Sequence, residues 1–147
     1  LSVGIIKDSR CEGLTLDTAG KDTYIHKQAG AQQVALRALN ETDIMYTARL
    51  GLSSILEHFD QDVIILEGFA KYNLPKIVTG IIPFDLKART TEKTFAYSGV
   101  IANTVDSCCG LPVINSQTDI GKLCDLILLK VPQGGKESLF DASAEVI

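Results

Sequence analysis

Asp62-Val63-Ile64-Ile65-Leu66-Glu67-Gly68-Phe69 is the stretch that most narrows the folds open to this chain. Its branched apolar residues run consecutively and leave no polar face for water. That pattern predicts a strand buried on both faces, and such strands belong to parallel sheets. The run stops at a carboxylate followed at once by glycine. In open α/β sheets the functional crevice lies outside the carboxyl ends of the strands. An acid there is positioned to hold a magnesium ion or to orient a water, as strand-end acids do in phosphate chemistry. Taken alone, the pattern is equally that of any strand ending in a turn.

Residues 2–7 form a second short, β-branched apolar run, closed by the polar cluster Lys7-Asp8-Ser9-Arg10. Residues 33–38 and 43–48 read as two further strands, with Asn40-Glu41-Thr42 turning between them. Leu52, Ile55, Leu56 and Phe59 recur at helical spacing, which predicts an amphipathic helix with Glu57 and His58 facing out. Residues 75–79 open on Pro75 and predict another strand, since proline at a strand's first position removes no ladder bond. Residues 80–94 lose any clear period and carry mixed charge, so a surface excursion is expected. Residues 95–102 predict the last strong strand, and Leu111-Pro112-Val113-Ile114 an edge segment at most.

Ser116-Gln117-Thr118-Asp119 has loose capping-box spacing. Behind it Ile120, Leu123, Cys124, Ile127, Leu128 and Val131 make a helical stripe, ended by Pro132 and Gly134-Gly135. Gly135-Lys136-Glu137-Ser138 lacks the upstream glycine spacing of a phosphate loop. The tail over 136–147 ends on Glu145-Val146-Ile147, which reads as the start of a strand. Strands 3–7, 63–66 and 95–102 are expected to lie between helices in one mostly parallel sheet.

A second informative stretch runs over residues 17–31, after the first strand. Asp22 is expected to cap a short helix, accepting an orphan backbone N–H at its positive end. Ile25 and Ala29 would share one face, and Gly30 would stop the helix. Gly20 lets the backbone pass close to a partner, and Lys21 sets a cation beside it. By itself this is also what an ordinary capped polar loop looks like.

Composition excludes several classes. A chain of 147 residues with 46% hydrophobic content and a net charge of −4 has no electrostatic footprint for nucleic acid and no basic patch for a membrane surface. No uninterrupted apolar run reaches the length of a membrane span. Cys11, Cys108, Cys109 and Cys124 show no C-x-x-C spacing, so neither a zinc site nor a thioredoxin-like motif is expected. Reduced thiols in a cytoplasmic protein fit, and the vicinal pair lacks an electropositive context for redox work. The chain opens on Leu1 inside a strand pattern, neither a signal peptide nor a natural start, so upstream sequence is expected to be missing.

Val-Gly-Ile-Ile-Lys, then Asp17-x-x-Gly20-Lys21-Asp22-Thr23, then Ala29-Gly30-Ala31, then Ile-Ile-Leu-Glu67-Gly68-Phe69, then Pro75-Lys76-Ile77-Val78 is a specific order of motifs. It resembles the MobB family, molybdopterin-guanine dinucleotide biosynthesis protein B, strongly over residues 2–79 and weakly beyond. The resemblance implies an α/β fold of three layers, a mostly parallel sheet of P-loop NTPase type, here N-terminally truncated. Residues 1–131 would be the nucleotide-binding domain without its phosphate loop, and 132–147 a tail or the start of an extension.

It further implies binding of GTP with magnesium, at most a weak GTPase activity, and assistance to the MobA-type guanylyltransferase that attaches GMP to molybdopterin. A homodimer is a further partner state. Asp17, Gly20, Lys21 and Asp22 would belong to the nucleotide- and metal-facing loop, and Gly68 and Phe69, shaping the turn after Glu67, would bind nucleotide as well. Glu67 would be the catalytic strand-end acid, and Asp17 and Glu67 would share the magnesium.

Two departures from the family stand out. Asp8-Ser9-Arg10-Cys11 occupies the place where the family often has histidines. No G-x-x-x-x-G-K-[ST] occurs, and Lys21 alone cannot replace the amides and lysine of such a loop. The 147-residue chain alone is therefore expected to bind GTP poorly, with an apolar gap or an exposed strand edge left in its sheet. A ligase-like enzyme similar to dethiobiotin synthetase, and a non-catalytic adaptor, are the alternatives.

Overall fold

The computed structural model describes residues 1–134. The readings of Gly135-Lys136-Glu137-Ser138 and of the tail to Ile147 lie outside the described residues. The chain divides into two compact units, Leu1–Phe69 and Ala70–Ile147.

In the first unit, β1 (Val3–Lys7) is followed by α1 (Asp22–Gln28), the hairpin β2 (Gln33–Arg37) and β3 (Thr42–Tyr46), α2 (Leu52–Leu56) and β4 (Val63–Glu67). β1 and β4 pair in parallel, from Val3 opposite Val63 to Lys7 opposite Glu67. Ser2 and Asp62 clamp the start of this ladder, the Ser2 amide donating to Asp62 Oδ2 at 2.6 Å and the Asp62 amide to Ser2 Oγ at 3.0 Å. One face of the ladder packs inward: Ile6 is buried, and a side chain at Gly4 would collide with the Phe59 ring. Leu56 is buried, and Leu52, Ile55 and Phe59 are partly covered, while Glu57 and His58 face out as their spacing predicts.

The opposite face differs from expectation. Val3, Ile5 and Ile65 are 54%, 61% and 45% exposed, so neither β1 nor β4 is buried on both sides. Four β-branched or leucine residues in a row state only that the strand is apolar. They do not guarantee a second covering layer.

The second unit holds β5 (Lys76–Thr79), α3 (Pro83–Arg89), β6 (Thr94–Ser98), a 3₁₀ turn (Val100–Asn103), β7 (Ser107–Cys108), β8 (Leu111–Pro112) and α4 (Ile120–Lys130). β5 and β6 are parallel, with a bulge at Lys76/Ile77. The chain at Val113 and Ile114 runs parallel beside β6: the Ile114 amide donates to the Tyr97 carbonyl at 2.9 Å, and Ser98 Oγ to the Ile114 carbonyl at 2.7 Å. Val78, Leu86, Tyr97, Ile101 and Val113 form the core of this unit.

Three expectations are corrected here. Residues 80–94 are not a plain excursion, because α3 occupies most of them. Pro83 takes the first helical position, where its missing N–H costs nothing, and Asp85 accepts from the Ile81 and Ile82 amides at 3.3 Å each. Leu86, fully buried, fixes the helix to the strands, and Thr90 Oγ1 meets the Tyr97 hydroxyl at 2.7 Å. The strand expected over 95–102 ends at Ser98, since Gly99 turns to φ +94° and the 3₁₀ turn follows. The capping box expected at Ser116–Asp119 does not form: Asp119 makes no capping bond and instead holds Lys122 at 2.6 Å. Of the α4 stripe, Leu123 is buried, whereas Ile120 and Leu128 are more than half exposed.

The class is α/β, built on parallel ladders. The described strands pair as two parallel ladders and two antiparallel hairpins.

Candidate functional site at the carboxyl end of the first ladder

Parallel pairing brings the ends of β1 and β4 level, so Lys7 and Glu67 lie side by side. Lys7 Nζ stands 2.6 Å from Glu67 Oε1, and both side chains are about three-fifths exposed, at 62% and 59%. The Asp8 amide extends the ladder by one bond, donating to the Glu67 carbonyl at 2.8 Å. Gly68 then turns the chain with φ +91°. A Cβ at this position would come within 2.5 Å of the Asp8 carbonyl oxygen, so the close approach of two backbones demands glycine here. Phe69 follows, half-buried.

Two further charges join this edge: Asp8, from the polar cluster that closes the first strand, and Arg49, which sequence reasoning did not find. The Arg49 guanidinium, on the segment after β3, binds Asp8 Oδ1 through Nη2, and its Nη1 donates to the Ser9 carbonyl at 3.4 Å. Asp8 and Arg49 are 41 positions apart. Only the fold brings them together, and no local signal could have paired them.

The loop before α1 is built around Asp17. Its Oδ1 accepts from Thr23 Oγ1 at 2.8 Å and from the Thr18 amide at 3.0 Å. Lys27 Nζ lies 2.6 Å from Oδ2 as an ion pair, with the two side chains only 18% and 5% exposed. No hydrogen bond of regular geometry reaches that buried oxygen, so the lysine charge is what offsets its desolvation. Lys27, then Thr23 and Thr18, hold the Asp17 carboxyl below its ordinary value against the opposing effect of burial.

The turn from Thr18 to Lys21 closes with the Lys21 amide donating to the Thr18 carbonyl at 3.2 Å. Gly20 sits at its third position with φ +85°, as a turn of type II requires. No protein atom would meet a Cβ there within 4 Å, so Gly20 serves the turn and not a close approach to another part of the chain. Lys21 is the N-cap residue of α1, without a side-chain bond, and Asp22 is the first helical residue. The cap expected from Asp22 is thus one position off, although its charge still suits the positive helix end. The helix ends as expected, the Gly30 and Ala31 amides donating to Lys27 and His26 carbonyls at 3.0 and 3.1 Å in a Schellman pattern.

Gly20, Lys21 and Asp22 are therefore exposed together on one loop, and Glu67, Gly68 and Phe69 follow one another at the strand end. Among the described residues no hydrogen bond or ion pair joins Asp17 to Glu67, and no three His, Cys, Asp or Glu side chains gather in a metal-ligating cluster. No helix among the described residues is long and apolar enough to cross a membrane.

Comparison with known proteins gives a consistent result. A family model described as molybdopterin guanine dinucleotide synthesis protein B matches residues 1–96. The crystal structure of Bacillus subtilis MobB superposes with a TM-score of 0.70 at 25% identity, covering 91% of this chain and 82% of that one. A molybdopterin-guanine biosynthesis protein B gives 0.63 at 19% identity, covering 88% and 78%. A MobB homologue from Bacillus stearothermophilus gives 0.58 at 14%, covering 87% and 79%. No curated protein matches by sequence.

Proposed function

The chain belongs to the MobB family, associated with molybdopterin guanine dinucleotide synthesis, and from that premise we propose that it is a cytoplasmic GTP-binding accessory protein assisting a MobA-type guanylyltransferase to attach GMP to molybdopterin. The observation that carries this reading is the edge itself: a parallel ladder ending in Glu67, Gly68 and Asp8, on the side of the strands where α/β folds bind ligands.

In this reading Gly20, Lys21 and Asp22 form the nucleotide-facing turn. Lys21 is exposed and makes no side-chain capping bond to α1, which suits a cation that meets a phosphate. Gly68 and Phe69 shape the turn after Glu67. Magnesium, when bound, would neutralise phosphate charge. Of the two expected carboxylates Glu67 fits that ion more readily. Its partner Lys7 is largely exposed, and exposed pairs are exchanged at little cost. Asp17 would have to release Lys27 and uncover a buried oxygen to bind the ion directly. It serves the same site by holding the Thr18–Lys21 turn against α1.

Calorimetry of the full-length protein with GTP, ATP and magnesium tests this. GTP should bind in preference to ATP, and Glu67→Gln should lower the magnesium-dependent affinity about tenfold, roughly 1.4 kcal/mol, while leaving magnesium-free binding unchanged. Equal affinity for the two purines, or a Glu67→Gln variant indistinguishable from wild type, would overturn it.

A further inference from the structure

The hairpin of β7 and β8 carries a pair of thiols that the nucleotide reading does not use. Cys108 is the last residue of β7 and lies opposite Leu111. Cys109 and Gly110 make the two-residue turn between them, both with positive φ (+49° and +79°), the geometry of a type I′ hairpin turn. Cys109 is the one non-glycine residue in the left-handed region among the described residues. The hairpin sets the two sulfurs 3.6 Å apart, in hydrogen-bond contact and without a disulfide between them. Cys108 packs, half-buried, against the core of its unit, and Cys109 is exposed. One thiol is thus anchored and the other accessible.

We propose that Cys108 and Cys109 form a two-thiol chelating site for a thiophilic metalloid centre of the trivalent arsenic class. Soft centres bond sulfur at about 2.3 Å, the length of a zinc–thiolate bond, and at the roughly 90–100° angles of a pyramidal trivalent centre they bridge sulfurs about 3.3–3.5 Å apart. The observed 3.6 Å lies just beyond that span, so the site needs little rearrangement to close. One feature chooses the metalloid over a divalent metal ion: no third His, Cys, Asp or Glu joins the pair among the described residues to complete a metal's coordination. A trivalent arsenic oxide condenses with the two thiols. Two As–S bonds form, the As–O bond breaks, the oxide oxygen leaves with both thiol protons as one water, and arsenic stays trivalent.

The probe is phenylarsine oxide, added to the full chain kept reduced with a phosphine, and read by native mass and by alkylation of the remaining thiols. One equivalent should bind, protecting Cys108 and Cys109 and leaving Cys11 and Cys124 open to alkylation. Cys108→Ser, Cys109→Ser and Cys109→Asn should each weaken binding at least 100-fold. Asparagine tolerates the left-handed turn, so this last variant separates loss of sulfur from loss of the hairpin. Cys11→Ser and Cys124→Ser should bind as wild type. Ethanedithiol, not mercaptoethanol, should release the adduct. Adducts mapping to Cys11 or Cys124, or undiminished binding by Cys109→Asn, would overturn the proposal.

Discussion

The two parallel ladders of this chain are built alike and buried differently. Each ends in a glycine with positive φ pressed against its partner's backbone: Gly68 beside the Asp8 carbonyl after β4, and Gly99 beside Gly80 after β6. Around β6 the environment is a core, with Ala96 and Tyr97 fully buried and even Thr94 and Ser98 nearly so. Around β1 and β4 one face is open, and the carboxyl end bristles with Lys7, Asp8, Glu67 and Arg49. Parallel backbone pairing therefore serves two purposes. The second ladder holds its unit together through packing, whereas the first uses pairing to display charge at its end.

The largest effect should come from testing burial directly. Leu86→Ala removes a fully buried side chain from the second unit's core and should cost about 2–5 kcal/mol in urea unfolding. Ile5→Ala, at 61% exposure on the open face, should stay within about 0.5 kcal/mol. A cost at Ile5 as large as at Leu86 would mean that the open face is covered in solution, and the contrast between the ladders would fall.

The glycines sharpen the comparison from the other side, where the ladders agree. Gly68→Ala and Gly99→Ala meet both a disfavoured φ and a backbone clash, and each should cost more than about 3 kcal/mol. Gly20→Ala shares the positive φ but has open space around it, so about 1–2 kcal/mol is expected. Equal losses at Gly68 and Gly20 in the same unfolding assay would show that φ alone matters and that the tight seam at Asp8 relaxes.

This contrast also explains what the sequence could and could not reveal. β4 is an unbroken apolar run and β1 a short apolar, β-branched one, so their existence, their parallel character and the acid at the end of β4 were legible. Burial was not, because exposure of Ile5 depends on what lies across from it and not on its neighbours in the chain. α3 was overlooked because its apolar face rests chiefly on Leu86, too little for a period; Pro83 three residues before Leu86, with Asp85 at the third helical position, was the signal available. At the candidate site, Glu67, Gly68 and the 17–22 loop follow from local motifs. Asp8 with Arg49 does not, being a long-range ion pair.

A smaller effect separates the loop acid from the strand-end acid. Lys27 and the threonine donors lower the Asp17 carboxyl below its ordinary 3.8. A group depressed in the folded state adds stability above its unfolded value and loses it as pH falls through the folded one. Wild-type α1 should therefore keep its amide-exchange protection down to pH near 4 and lose it below. Asp17→Asn should lower protection of residues 22–28 at neutral pH and remove this acid step. Survival of the step in the variant would assign it to another carboxyl group.

The least effect is expected where the function is proposed to lie. Lys7 and Glu67 are close, at 2.6 Å, yet both are mostly in water, so ordering two long side chains offsets nearly all of the attraction. A double-mutant cycle with Lys7→Gln and Glu67→Gln should give a coupling of about 0–1 kcal/mol, shrinking further in 0.5 M salt as screening shortens the reach of exposed charges. That smallness is the functional point. On the proposed reading, a strand-end carboxylate held so loosely would be free to leave its lysine for magnesium without unfolding anything, whereas the enclosed Asp17–Lys27 pair would not. A coupling above about 2 kcal/mol, insensitive to salt, would make Lys7–Glu67 a structural lock. The two ladders would then differ only in burial, and Glu67 would no longer be free to serve a nucleotide.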